Sequence, residues 1–87
     1  MAYIIRANNK NYTVSVHAAK RMIQRFIPEE IVIETLENGT IVEQAHGTDL
    51  YEHSIFDPTL EDKIIVRVIV DETTRTIVSV IDDNETE

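Results

Sequence analysis

Isoleucine and valine supply 22 of the 87 residues, against three leucines, Leu36, Leu50 and Leu60. β-Branched side chains are stiff at χ1 and pack well on a pleated surface, so strands are expected to outnumber helices. The length admits one core. A chain this short buries only roughly 60–65% of its unfolded surface, so a second copy or a ligand can add stability. There is no cysteine. That excludes a disulfide framework, thiolate zinc sites and a cysteine nucleophile. No apolar run approaches a membrane span and no signal-peptide h-region opens the chain, so a soluble cytoplasmic domain is expected.

The net charge of −8 is unevenly spread. Residues 1–28 hold five cations, Arg6, Lys10, Lys20, Arg21 and Arg25, and no acid. The remainder holds three cations, Lys63, Arg67 and Arg75, and all sixteen acids. An acidic total disfavours non-specific polyphosphate binding, and no DNA partner is expected. A local basic patch that holds one phosphate is still compatible with it.

Two short β-prone runs, Tyr3–Arg6 and Tyr12–Val14, flank an Asn-rich turn and suggest a hairpin or an irregular arm, an N-terminal β arm over residues 1–14. Ser15 to Phe26 reads as a helix capped by Ser15. Val16, Ala19, Met22, Ile23 and Phe26 share one face, and His17, Lys20, Arg21, Gln24 and Arg25 the opposite one. Pro28 in a first turn, followed by Glu29 and Glu30, opens a second helix that Asn38-Gly39 stops. Strands follow at 40–44, 50–56, 64–70 and 76–81. The predicted fold is α+β, two helices on one face of a four-stranded antiparallel sheet, with a short N-terminal β arm. The domain spans 15–82, and 83–87 is an acidic tail. The uncovered sheet face is the natural place for a site or a dimer contact.

Several residues have the chemistry for such a site. His17, Arg21 and Arg25 recur at i, i+4, i+8 and stack in one line. Two guanidinium forks suit a phosphate or carboxylate, and a neighbouring imidazole can move a proton near neutral pH. Equally, such a stripe solvates a helix or pairs with acids of a second copy, such as Glu34 and Glu37. Arg67 sits amid Ile and Val in a central strand, where its charge needs either an anion or a structural partner such as Glu43 or Glu52. Tyr51 and His53 share one strand face, where they could stack on a base or relay a proton. Ser79 could donate to a phosphate or to neighbouring backbone. No two of His17, His46 and His53 have helical zinc-ligand spacing, and Gly39 and Gly47 are the only glycines. Neither a metal nor another cofactor is expected.

The run Ser15-Val16-His17-Ala18-Ala19-Lys20-Arg21-Met22-Ile23-Gln24-Arg25-Phe26-Ile27-Pro28-Glu29-Glu30, with Ile33-Glu34-Thr35-Leu36-Glu37-Asn38-Gly39, resembles the opening of a bacterial family of small domains of unknown function. That family is similar in fold to RelE/ParE-type toxins and to the barnase–EndoU–colicin–RelE group of metal-independent ribonucleases. The resemblance covers about residues 15–81, the strand part only in hydrophobic pattern. It implies a toxin-type endoribonuclease acting on RNA, with His17, Arg21 and Arg25 as functional positions and Arg67 and Ser79 corresponding to a strand arginine and serine. It also implies a cognate antitoxin as partner. The alternative is a non-catalytic module that binds a protein or forms a homodimer.

Overall fold

The structure is a computed structural model that describes residues 3–58 and 61–82. β1 (Tyr3–Ala7) and β2 (Lys10–Val14) form an antiparallel hairpin. Its two-residue turn, Asn8-Asn9, has φ of 54° and 61°, a left-handed conformation that asparagine tolerates and that matches strand twist. Asn8 Nδ2 donates to the Leu36 carbonyl at 2.8 Å, tying the turn to the second helix. Alternation sends Ile5, Ala7, Tyr12 and Val14 inward, where each is almost fully buried.

α1 (Val16–Gln24) begins as expected: Ser15 Oγ accepts from the Ala18 N–H at 3.0 Å. It ends two residues before Phe26. The Ile27 N–H donates to the Met22 carbonyl and the Phe26 N–H to that of Ile23. This pair of bonds is a Schellman motif, which requires one left-handed residue, and Phe26 takes it with φ of 53°. α2 (Glu29–Asn38) follows at once, with Pro28 as its N-cap. Gly39 ends it at a close approach. A Cβ there would lie 2.4 Å from the Thr35 oxygen and 2.8 Å from that of Glu52.

β3 (Thr40–Ala45), β4 (Thr48–Asp57), β5 (Asp62–Asp71) and β6 (Thr76–Asp82) pair in antiparallel succession. The predicted class is corrected here. The sheet has six strands, not four, and is mixed, in the order β1-β2-β6-β5-β4-β3, with 55% of the described residues in strands. The arm is part of it. β2 joins β6 in parallel through Thr13↔Thr76 and Val14↔Ile77. The physical reason is burial: the hairpin's four inward side chains complete the core made by Val66, Val68, Val70, Ile77 and Val80. α2 crosses this inner face, packing on β1, β4 and β5 through Val32 and Leu36. The proposed acidic tail, 83–87, lies outside the described residues.

Candidate functional site

β2 pairs only with the first two residues of β6, and α1 occupies the edge that remains. The Ser15 N–H donates to the Ile77 carbonyl, Ser15 Oγ to that of Val78, and Arg25 Nη1 to that of Val80 at 2.9 Å. Edge carbonyls that a strand would have satisfied are thus satisfied by the helix.

This seat decides where the stripe points. Ala18 and Met22 form the buried line of α1. To one side lie Ala19, Ile23 and Phe26, which with Tyr3, Ile27 and Pro28 border a depression on the α2 side of the sheet. To the other lie Arg25, Arg21 and His17, at steps of about 40° around the helix. Arg21 and His17 therefore lie away from this depression, whereas Arg25 reaches a cavity lined by the inner-face residues Ile55 and Ile64. The helix is rotated relative to the sequence expectation. Arg21 and Arg25 are half-buried, with Arg21 Nε inside, whereas Val16, Ile23 and Phe26 of the supposed inner face are exposed; His17 is exposed as expected.

Strand register places the remaining candidates. Glu52 pairs with Arg67, Arg67 with Ile81, and Ile69 with Ser79, so Arg67 and Ser79 share the outer face. They are diagonal neighbours, with Cβ atoms roughly 7–8 Å apart. Ser79 and Ile81 on this face are both buried, whereas Arg67 and Ile69 are half-buried. Arg67 donates from Nε to Glu52 Oε2 at 2.9 Å. The sequence offered Glu52 as one of two acids for that pair; Glu43 instead faces Leu50 across β3 and β4.

Tyr51 and His53 fall on the other side. Tyr51 pairs with Val68 and His53 with Val66, so both lie on the inner face, not the open one. α2 covers them. His53 Nε2 lies 3.1 Å from Glu34 Oε2, and Tyr51 donates to Glu72 Oε2 at 2.9 Å. Burial, then the Glu72 carboxylate, pushes the Tyr51 hydroxyl well above its ordinary value. The period-two alternation shows that Tyr51 and His53 point together; only the path of α2 shows which way.

Arg25 stands apart from His17 and Arg21. Besides holding the Val80 carbonyl, it lines a cavity of about 520 Å³ together with Asp57 and Asp82. Two carboxylates in one cleft oppose an anion there. The acids suggested for pairing with a second copy are engaged within the chain: Glu34 with His53, and Glu37 with the Asn8 N–H. Among the described residues no group of three His, Asp or Glu is placed to hold a metal ion, and no helix is long and apolar enough to cross a membrane.

Strand register therefore puts Arg67 and Ser79 on one face of the sheet and Tyr51 and His53 on the other, while His17 and Arg21 lie on α1 at the β6 edge. No curated protein and no solved structure matches the chain. Residues 14–82 match a family described as a domain of unknown function, DUF4258, and over that span, most of its length, the chain belongs to this family.

Proposed function

We propose that the chain cleaves RNA at a phosphodiester held between α1 and the outer sheet face, the activity that likeness to RelE/ParE-type toxins implies. The observation that supports this reading is the seat of α1 on the edge of β6, the strand next to Arg67, with His17 and Arg21 on the flank away from the Tyr3–Pro28 depression. Among the described residues Glu52 holds Arg67 through Nε, and the side chain is one-third exposed, so its Nη groups can meet an anion. The carboxylate also fixes which way the guanidinium fork lies. Arg21 and Arg67 would neutralise the charge that builds on the phosphorane oxygens. His17 would take the proton from the ribose 2′-hydroxyl, which then attacks phosphorus; the P–O5′ bond breaks and the departing 5′-oxygen takes a proton from water. Ser79, being buried, would serve as floor and not as a ligand.

The test uses labelled RNA, free and on ribosomes, with EDTA present. Products should end in 2′,3′-cyclic phosphate, and His17→Ala should abolish them. Arg67→Lys should lose most of the rate, because a point charge does not replace the fork that Glu52 orients. RNA left intact in both settings would refute the reading.

A further inference from the structure

α1 presents to solvent the flank that should have been its buried one. Phe26 is 92% exposed and Ile23 76%, with Val16 also exposed, and Tyr3 at 39% adjoins them. Scattered apolar residues at a surface are ordinary, but here they are contiguous along one helix and its cap. The backbone also holds Phe26 out. Its left-handed φ is a conformation that a bulky residue adopts only under constraint, and glycine would fit the Schellman cap at no steric cost. The protruding ring forms one wall of a depression of about 560 Å³ otherwise lined by Tyr3, Ala19, Met22, Ile23, Ile27 and Pro28. The Tyr3 hydroxyl donates to Met22 Sδ on its floor.

A projection and an apolar hollow of matching chemistry, side by side on one surface, fit a two-fold partner. Rotation about an axis between them would seat each ring in the other hollow. The charges agree. Exposed Lys20 borders the patch beside Ile23, and exposed Glu29 borders it beside Tyr3, whose hydroxyl feels that carboxylate. An antiparallel approach of two α1 helices brings Lys20 of one copy to Glu29 of the other on both sides of the axis. We propose that this surface pairs with a second copy of the same chain, with Phe26 as the central anchor. The contact lies on the flank of α1 opposite His17 and Arg21, so it leaves those residues and Arg67 of both copies open and stands independently of any activity there.

Sedimentation equilibrium of the whole chain should give twice the 10.0 kDa monomer mass at about 100 µM, where a micromolar dimer is mostly assembled. Phe26→Gly should sediment as a monomer while keeping the same far-UV spectrum, since the cap accepts glycine. Lys20→Glu should raise the dissociation constant roughly three- to tenfold, and Lys20→Glu with Glu29→Lys should restore it. A monomeric wild type at that concentration, or a Phe26→Gly chain that still dimerises, would overturn the proposal. Failure of the double reversal to restore the dimer would overturn the stated orientation.

Discussion

Replacing Phe26 with glycine should make the monomer more stable, although it removes the largest exposed side chain on α1. A left-handed backbone costs an L-residue roughly 1–2 kcal/mol, and Phe26 carries it at φ of 53°. The ring is 92% exposed, so little burial is lost with it. Glycine also loosens the unfolded chain, at about 0.4–1 kcal/mol. The balance is a gain of roughly 0.5–1 kcal/mol, or about 2–8 °C in midpoint for a domain of this size. Phe26→Ala keeps the strain and drops the ring, so it isolates the backbone effect. Thermal and urea unfolding would be run at low concentration, where self-association adds nothing to stability. A Phe26→Gly chain no more stable than Phe26→Ala would refute the strained-cap reasoning, whatever the oligomeric state.

Two other outcomes follow from contacts already described. Ser15→Ala removes the cap bond to the Ala18 N–H and the bond to the Val78 carbonyl, and should cost about 1–2 kcal/mol in urea unfolding. Tyr51 is held neutral by burial and by Glu72, so its folded value lies above its unfolded one near 10. Its stabilisation is complete below that pH and is lost as pH rises toward the folded value. Burial also raises Tyr3 and Tyr12, so Tyr51→Phe should flatten the alkaline limb of stability against pH without abolishing it.

The elements with local signals were legible in the sequence. Ser15 caps α1, Gly39 ends α2, and Val66, Val68 and Val70 alternate inward on a strand flanked by β4 and β6. What could not be read was pairing at long range. Ile5, Ala7, Tyr12 and Val14 alternate as inward residues should, but only the parallel rungs to β6 make them core. The facing of Tyr51 and His53 depends on where α2 runs, which no period within β4 encodes. Phe26 follows the apolar period of α1 faithfully; the helix stops before reaching it, and the cap turns its backbone outward. The Arg67 pair was accessible in principle, since Glu52 lies opposite it once the β4–β5 register is known.

The place of β6 bears on the order in which the molecule assembles. It is the last of the described strands along the chain, yet it stands between the N-terminal hairpin and the rest of the sheet. Until it arrives, the hairpin has no neighbouring strand and α1 no edge to rest on. Closing such distant segments must precede the reward of docking them, which slows folding toward the millisecond-to-second range of β-rich domains. A nascent chain would therefore expose Ile5, Tyr12 and Val14 until residues 76–82 emerge, and chaperone capture should peak in that interval.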